Sequence, residues 1–353
     1  MTEQRSFRLR QLQMAPSRYR PGLLNAITDV PGVKVGHLTC HEGDRIRTGV
    51  TAIVPHAGNV FQEKVPAALG VFNGFGKFAG STQIEELGEI ETPVLLTNTL
   101  AVGRGIEAIN RYTLAQPGNE RVVSLNAVVG ETNDSRLNDI RAERPTVDEM
   151  LAALATAKPG PVEEGAVGAG TGTVAFGMKG GIGTSSRQVP VSEETYTLGV
   201  LVQSNYGGAL MINGRLYRLD DDDMKKHDKD GSIVMVVATD APLCSRNLKR
   251  LAERCFGGLA RTGAALSNGS GDYALAFSTA ATVRRTPERR KSIAEYSVLS
   301  NDVVSPLFEA LIEATEEAIL NSITMAKTTR GYDAGTGKPS TVHAISLDVL
   351  RRL

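Results

Sequence analysis

Ser270 is the residue of this sequence whose surroundings point most directly to chemistry. It lies between Gly269 and Gly271, where a loop of small residues passes into the strand-like segment 273–279. Glycine neighbours permit backbone conformations that a β-carbon forbids, and they leave room for a reacting group near the hydroxyl. An internal serine in this setting can attack the peptide bond before it and become a new N-terminus, whose amine then serves as a base. The alternative is a glycine-rich turn ahead of a strand.

Composition and charge argue against several classes of function. Among 353 residues there are 39 Lys and Arg and 39 Asp and Glu, so the formal net charge is zero. A neutral chain offers no broad basic face to nucleic acid and little attraction to an anionic membrane. Residues 1–20 are polar and Arg-rich, unlike a secretory signal, and no stretch approaches the roughly 20 apolar residues of a membrane span. We therefore expect a cytoplasmic protein with no nucleic-acid or membrane partner.

Residue types that commonly hold metals are present, but their spacing does not suit a metal site. The cysteines are Cys40, Cys244 and Cys255. They form neither a CxxC pair nor a metal-ligand pattern, so we expect reduced thiols. His37 and His41 are four residues apart, but they lie in a turn-rich segment with no helix to present both. The acidic run 220–230 contains lysines and lacks EF-hand spacing, which favours a solvated loop. We expect no metal and no organic cofactor.

Glycine is concentrated in residues 165–183, where a dinucleotide-binding loop has to be considered. Strands are predicted on both sides of this segment, so no helix N-terminus follows to receive a phosphate. Close packing of strand against strand is the better account of these glycines.

Hydrophobic patterns predict many strands with several helices. The predicted strands are residues 49–55, 67–72, 93–97, 121–129, 196–204, 232–238 and 342–345, with 209–218 returning as the second arm of a hairpin. Helices are predicted at residues 99–112, 243–256 and 305–326, and another begins after Thr146, where Glu149 completes a capping box. Because strands and helices do not strictly alternate, we predict an α+β fold of packed sheets covered by helices, rather than a doubly wound nucleotide fold.

A series of short motifs, from about residue 23 to the C-terminus, occurs in the order found in one known family. The motifs are AITDVPGV from Ala26, NGFGK from Asn73, EELGEIETP from Glu85, GETND from Gly130, GAGTGT from Gly168, GGIGTSS from Gly180, ATDAPL from Ala238 and NGSGD from Asn268. With these motifs the chain resembles the L-aminopeptidase/D-esterase family, which includes the β-peptidyl aminopeptidases. Each motif is weak alone, and their shared order carries the resemblance.

The resemblance implies a fold similar to N-terminal-nucleophile hydrolases, an αββα sandwich with its own connectivity, assembled as a homotetramer. It implies self-cleavage between Gly269 and Ser270. A basic arm, 1–22, would precede one catalytic domain, 23–353, and the cut would divide the chain into an α part, 1–269, and a β part, 270–353. The implied reaction releases N-terminal residues from short peptides, amides or esters through an acyl-enzyme on Ser270.

The resemblance also assigns roles to further residues. Asn205 would stabilise the oxyanion of the tetrahedral intermediate, and the alternative is a turn asparagine. Glu131 would act near the substrate amine or the processing site, since a carboxylate in a pocket can hold an ammonium group; the alternative is a surface or loop-capping carboxylate. Asn133 stands at or near a position where some members have a supporting tyrosine. Glu295 and Ser297 have the composition of a support pair found in some members, in reverse order.

The general base that activates Ser270 and the type of reaction also have to be considered. An N-terminal amine has an unperturbed pKa of roughly 8, so the Ser270 amine can act as the base and no histidine is required. An acyltransferase similar to ornithine acetyltransferase would share the processing but transfer the acyl group to an amine, although such enzymes cut at threonine. A non-enzymatic oligomeric scaffold would use the glycine motifs only for packing. The preference between α- and β-amino acids, and the stereochemistry, are not set by these residues.

Overall fold

Two β-sheets packed face to face, with helices on both outer surfaces, make up the protein. We describe it from a computed structural model that covers residues 6–217 and 231–351. The acidic run predicted as a solvated loop, residues 220–230, lies outside these described residues. The predicted α+β class and its αββα layers are confirmed.

The elements of the described residues have the following bounds. The strands are β1 (Lys34–Glu42), β2 (Ile46–Val54), β3 (Val65–Gly74), β4 (Phe78–Ala79), β5 (Glu89–Ile90), β6 (Val94–Asn98), β7 (Val128–Thr132), β8 (Val174–Ala175), β9 (Met178–Lys179), β10 (Gly181–Val191), β11 (Glu194–Asn205), β12 (Met211–Ile212), β13 (Arg215–Leu216), β14 (Ser232–Thr239), β15 (Gly271–Ser278), β16 (Thr329–Asp333) and β17 (Lys338–Val342). The α-helices are α1 (Ser81–Leu87), α2 (Val102–Leu114), α3 (Val147–Ala155), α4 (Ser245–Ala252), α5 (Cys255–Arg261), α6 (Ser305–Thr324) and α7 (Leu347–Leu350).

The two large sheets differ in strand order and in the helices that cover them. One sheet has the order β1-β2-β6-β7-β4 and the other β10-β11-β14-β15-β3-β5. The pairs β6–β7 and β14–β15 are parallel, whereas the other neighbours in these sheets are antiparallel. Helices α2 and α3 cover the first sheet, and α4 and α6 cover the second.

Strand β14 illustrates why the sequence forms stacked layers. Met235 and Val237 point into the core beneath the helices, whereas Val234 and Val236 point into the core between the two sheets. Successive side chains of a strand face opposite sides, so both faces of β14 are buried. The segment is therefore continuously apolar instead of alternating with polar residues.

The helix predicted from Thr146 is present with its cap, whereas the helix predicted at residues 243–256 is divided. The Thr146 hydroxyl accepts from the Glu149 N–H, and the Glu149 carboxylate accepts from the Thr146 N–H at 2.7 Å. In the second case the chain turns at Glu253 and Arg254, so that two shorter helices, α4 and α5, replace the single one.

Three predicted strand segments are wrong in whole or in part. The segment predicted at 342–345 is irregular after Val342, where β17 ends. Residues 121–127 are irregular, and β7 begins only at Val128, where its parallel partner β6 begins at Val94. The segment predicted to pair back as a hairpin arm at 209–218 instead forms its own ribbon, β12–β13. Asn213 and Gly214 both have positive φ, which suits a tight two-residue turn inside the segment.

The glycines of residues 165–183 permit close backbone contacts. A β-carbon on Gly181 would overlap the carbonyl oxygen of Gly165, and one on Gly183 would overlap that of Ala318 in α6. The predicted packing of strand against strand is thus only part of the explanation, because the long helix also lies directly on β10.

From residue 6 onward, the N-terminal segment packs on the second sheet and its covering helix. Leu9 is fully buried, and Arg10 pairs with Glu317 of α6 at 2.9 Å. Arg187 of β10 is also fully buried, and it pairs with Glu317 at 2.7 Å and with Glu313 at 2.6 Å. Buried charges of this kind depend on their partners, since removing one partner leaves an uncompensated charge.

Two further predictions from the sequence concern the state of the cysteines and membrane-spanning segments. Cys40, Cys244 and Cys255 are unpaired, and Cys40 and Cys255 are buried. Burial raises the pKa of both buried thiols to about 12, which disfavours the reactive thiolate. Across residues 6–217 and 231–351, no helix has the length and apolar character needed to cross a bilayer.

Candidate active site

The end of β11 and the starts of β14 and β15 lie side by side in the second sheet. Asn205 pairs with Ser232 across β11 and β14, and Ser232 pairs with Gly271 across the parallel strands β14 and β15. Neighbouring strands are about 4.8 Å apart, so two such steps separate Asn205 from Gly271 by roughly 10 Å. The strand register therefore places Asn205 and Ser270 at the same end of these strands in the second sheet.

Ser270 is held in place by hydrogen bonds and is only 2% exposed. Its Oγ donates to Oδ1 of Asp272 at 2.6 Å, and its backbone N–H donates to the Ser267 carbonyl at 3.0 Å. The Ser270 carbonyl accepts from the Phe75 N–H at 3.3 Å. On its other oxygen, Asp272 accepts from Nδ2 of Asn73 at 2.9 Å. The hydroxyl thus has a fixed orientation toward a buried carboxylate.

A cleft of about 260 Å³ opens beside the Gly269–Ser270 bond. Its walls are formed by Phe75, Lys77, Thr99, Glu131, Asn133, Ser135, Arg136, Asn205, Gly231, Ser232 and Gly269. Polar and charged side chains predominate in this set. The cleft therefore brings Asn205, Glu131 and Asn133 together next to the residue whose carbonyl the predicted self-cleavage attacks.

A hydrogen bond to the oxygen of its side-chain amide fixes the orientation of Asn205. Its Oδ1 accepts from the buried N–H of Val174 at 2.9 Å. Because a backbone N–H needs an acceptor, this contact identifies the oxygen, and the amide NH₂ is the opposite end. Asn205 is the last residue of a strand and is 8% exposed, so the alternative of a turn asparagine with positive φ is wrong. An amide fixed in this way suits a preorganised donor.

Glu131, near the end of β7, is a buried carboxylate in the cleft wall, with 2% exposure. Its Oε1 accepts from the Lys77 N–H at 2.9 Å, and its Oε2 accepts from the Thr99 hydroxyl. The Lys77 ammonium lies 4.0 Å from Oε1 on a largely exposed side chain. The alternative of a surface carboxylate is therefore wrong, whereas the bond from the Lys77 N–H fits the loop-capping role that was the other alternative. Each carboxylate oxygen has capacity for a second donor, so Glu131 can accept from a substrate ammonium group.

Asn133 is exposed at the rim of the cleft. Its Oδ1 accepts from the Ser135 N–H at 3.0 Å, which forms an Asx turn. The amide NH₂ of Asn133 is thus the end available to a ligand, in the part of the cleft where the resemblance implies a tyrosine hydroxyl.

The family model that matches this chain is "Peptidase family S58", and it covers residues 25–336. The chain belongs to peptidase family S58. This confirms the family resemblance predicted from the ordered motifs.

Relatives of this S58 chain are similar over nearly its whole length. It is 38% identical to β-peptidyl aminopeptidase BapA of Sphingosinicella xenopeptidilytica, over 96% of this chain and 89% of that protein. Its fold matches a β-aminopeptidase of a Burkholderia species with a TM-score of 0.88 and 37% identity, covering 98% of this chain and 99% of that one. It also matches the L-aminopeptidase D-Ala-esterase/amidase of Ochrobactrum anthropi with a TM-score of 0.88 and 34% identity, covering 98% and 97% of the two chains. That structure is described as a new variant of the Ntn hydrolase fold.

Glu295 and Ser297 are not brought to the cleft of the S58 chain. Both are exposed in an irregular segment that follows β15, whereas Ser270 precedes this strand. Eight residues of β-strand span roughly 26 Å, so the two ends of β15 are far apart. Tyr296 lies between them in sequence and packs on Arg285, with 4.6 Å from the guanidinium carbon to the ring centroid. In the part of the chain that the structure describes, this predicted support pair therefore follows the far end of β15, away from the cleft.

His37 and His41, which were considered as a metal pair and set aside, lie in a strand, β1, so the expectation of a turn-rich segment is wrong. Residues four apart in a strand are separated by about 13 Å, too far to share one ion. His37 donates or accepts at Nδ1 with the Thr51 hydroxyl at 2.9 Å, and burial lowers its pKa to about 4. In residues 6–217 and 231–351, no group of three or more His, Cys, Asp or Glu is placed to hold a metal ion.

Sequence reasoning missed four residues of this S58 site: Asn73, Lys77, Thr99 and Asp272. A signal existed for Asp272, because residues i and i+2 of an extended segment lie on one face. Asn73 and Lys77 stand in the NGFGK motif that carried the resemblance, but their positions opposite Asp272 and Glu131 depend on strand register and on a turn. Thr99 follows β6, whose parallel pairing with β7 places it near Glu131.

Proposed function

We propose that this protein is a self-processing serine aminopeptidase that also hydrolyses amides and esters, with Ser270 as its nucleophile. Membership of peptidase family S58 and similarity to named aminopeptidases support the hydrolytic reaction. They favour hydrolysis over acyl transfer to an amine and over a scaffold without activity. The observation that carries the proposal is the buried Ser270 hydroxyl beside a cleft that holds Gly269, Asn205 and Glu131.

The proposed reaction begins with a chain already cut between Gly269 and Ser270. The new amine of Ser270 takes the hydroxyl proton while Oγ forms a bond to the substrate carbonyl carbon. Nδ2 of Asn205 donates to the developing oxyanion, and a single donor of this kind contributes about 3 to 4 kcal/mol. The leaving group takes the proton, and water then hydrolyses the ester on Ser270.

Glu131 is the group we propose for substrate binding. A buried carboxylate within the cleft attracts the ammonium group of an N-terminal residue, which an N-acylated peptide lacks. This arrangement predicts release of single N-terminal residues from short peptides, amides or esters. The relatives act on β-peptides and on L-amino acid and D-Ala derivatives by their names, so both α- and β-amino acid substrates belong in the assay.

Gel electrophoresis and N-terminal sequencing test the self-processing. Wild-type protein should give two fragments, the smaller beginning at Ser270, and Ser270→Ala should remain one inactive chain. Ser278→Ala is the matched control, because it removes a buried hydroxyl from the other end of the same strand. This control should still be cut. A wild-type enzyme that is active as one intact polypeptide would contradict the proposal.

We also propose a cytoplasmic location and, from the family resemblance, a homotetramer of processed α/β units. The unpaired thiols of Cys40, Cys244 and Cys255 support the first, since disulfides are rare in reducing compartments. Light scattering of the purified protein tests the second, since a monomeric mass for the active enzyme would exclude it.

A further inference from the structure

The hydroxyl of Ser270 contacts a carboxylate that the proposed peptidase mechanism does not use. Its Oγ donates to Oδ1 of Asp272 at 2.6 Å, and Asp272 is itself 1% exposed. We propose that Asp272 is the general base of the self-processing step and that Asn73 is the residue that positions it. This inference rests on the proposed cleavage between Gly269 and Ser270, and it assigns the base which that cleavage needs.

A separate base is required because the amine of Ser270 does not yet exist in the uncut chain. Its nitrogen is part of the peptide bond to be broken, and its N–H donates to the Ser267 carbonyl at 3.0 Å. A peptide nitrogen has no basic lone pair, so it cannot take the hydroxyl proton. Glu131, the carboxylate in the cleft wall, is engaged by Lys77 and Thr99 instead. Asp272 is the carboxylate to which the hydroxyl is bonded.

The position of Asp272 follows from the start of β15. Ser270 and Asp272 are two residues apart in extended chain, so their side chains lie on one face. Asp272 pairs with Asn73 of β3, and the register shifts immediately afterwards, between Asp272 and Tyr273. Such a bulge re-aims side chains and is common beside active sites. The irregularity thus occurs at the residue that has to face the hydroxyl.

Asn73 connects the proposed base to the loop that is cut. Its Nδ2 donates to Oδ2 of Asp272 at 2.9 Å and also lies 3.2 Å from the carbonyl oxygens of Leu266 and Ser267. The set of Ser270, Asp272 and Asn73 therefore has the order of nucleophile, base and orienting group that activates serine hydroxyls elsewhere. The same asparagine fixes the base and the backbone leading to the scissile bond.

The step balances without any co-reactant other than water. Asp272 takes the Oγ proton while Oγ bonds to the carbonyl carbon of Gly269. The C–N bond between Gly269 and Ser270 then breaks, and the departing nitrogen takes the proton from Asp272. This leaves an ester between Gly269 and the Ser270 Oγ. Water hydrolyses that ester, which gives a carboxylate on Gly269 and a free amine and hydroxyl on Ser270.

The surroundings of Asp272 suit a base of this kind. Burial raises the pKa of its carboxyl group, whereas the hydrogen bonds from Ser270 and Asn73 oppose that rise. A raised pKa makes the carboxylate a stronger base. The neighbouring titratable side chains are Tyr206 and Tyr273, and burial raises the pKa of both, so neither titrates in the acid range. Glu131 faces Tyr273 from β7 and is the other carboxylate near this group.

Cell-free synthesis followed by gel electrophoresis measures the rate of processing directly. Asp272→Asn keeps the size of the side chain but cannot take a proton, and it should slow cleavage by about 10²- to 10⁴-fold. Asp240→Asn is the matched control, since Asp240 follows β14 at the opposite sheet edge and accepts from the Thr197 N–H. It should process at the wild-type rate. Cleavage of a folded Asp272→Asn chain within about threefold of wild type overturns the inference.

Ser270→Ala separates this inference from the proposed function. If wild type is cut and Ser270→Ala is not, the proposed function stands whatever Asp272→Asn does. If Ser270→Ala is still cut before residue 270, the proposed nucleophile itself is wrong. Circular dichroism and thermal melting of each variant establish that it is folded before its rate is compared.

Asn73→Ala provides a second test that does not require replacing the base. Loss of a hydrogen bond to the carboxylate should raise the pKa of Asp272, because that bond stabilises the charged form. The acid limb of the processing rate against pH should then move to higher pH in Asn73→Ala, and it should disappear in Asp272→Asn. A purely structural asparagine would lower the rate at every pH without moving this limb, and that result would overturn its positioning role.

Discussion

Replacing Asn205 tests the proposed oxyanion donor, because the structure separates two contributions of its amide group. Oδ1 accepts from the buried Val174 N–H at 2.9 Å, and the NH₂ end is the candidate donor to the oxyanion. Asn205→Asp keeps an acceptor for Val174 but loses the donor, whereas Asn205→Ala loses both. The Ala variant leaves the Val174 N–H without its acceptor, which costs about 1 to 3 kcal/mol of folding stability.

Catalysis should respond differently from stability. Both variants should lose about 10²- to 10³-fold in kcat, corresponding to about 2.7 to 4 kcal/mol of transition-state stabilisation. Asn205→Ala should also show a lower free energy of unfolding in urea at every pH, whereas Asn205→Asp should do so only where its buried carboxyl group is charged. The assay is hydrolysis of an aminoacyl p-nitroanilide, with rates divided by the fraction of processed chain on a gel.

Two results would contradict the roles assigned to the Asn205 amide. If fully processed Asn205→Asp retains kcat within about threefold of wild type, the amide is not the oxyanion donor. If Asn205→Ala unfolds with the wild-type free energy, the hydrogen bond from the Val174 N–H to Oδ1 does not stabilise the fold as described above.

Two further predictions concern the stability of the fold. Gly183→Ala should lower the free energy of unfolding in urea by about 1 to 3 kcal/mol, because the new β-carbon would overlap the Ala318 carbonyl oxygen. The control Gly103→Ala adds a β-carbon in open space on α2 and should be neutral or stabilising. Equal effects of the two substitutions would contradict the close packing at Gly183. Burial lowers the pKa of His37 from 6.5 to about 4, so between these pH values the unfolded chain binds more protons than the folded one. The contribution of the neutral His37 to folding stability, up to about 3 kcal/mol, should therefore be lost as the pH falls from 6.5 to 4. Urea unfolding at several pH values should show a smaller acid dependence for His37→Gln than for wild type, and an unchanged dependence would contradict the assignment.

Local signals in the sequence predicted much of the layered fold. The continuous apolar run of β14 indicated a strand buried on both faces, and the capping box at Thr146 fixed the start of α3 to the residue. Segments without such local signals were predicted less well. Residues 121–127 have strand-like composition but no partner strand, since the pairing of β7 with β6 begins at Val128.

The candidate site was predictable where its residues are adjacent in sequence or carry a family motif. Ser270 with its glycines, Asn205 and Glu131 were found in this way, and the structure places Asn205 and Glu131 in the wall of one cleft together with Gly269, the residue before Ser270. Glu295 and Ser297 were carried over from a support pair of some family members, which they match in composition but not in order, and the course of the loop after β15 decided their position. Asn73 could not be connected to Asp272 without the register between β3 and β15, which no local pattern determines.

The interior position of β15 has a consequence for how a cut molecule behaves. This strand lies between β14 and β3, and the fragment 270–353 also contributes α6, which covers β10 and β11. Cleavage between Gly269 and Ser270 would thus leave two polypeptides that share one core and unfold together. Their refolding would no longer be unimolecular, since the fragments would have to find each other in solution. A processed enzyme of this design would regain its structure at a rate that depends on protein concentration, whereas an uncut chain would refold independently of it.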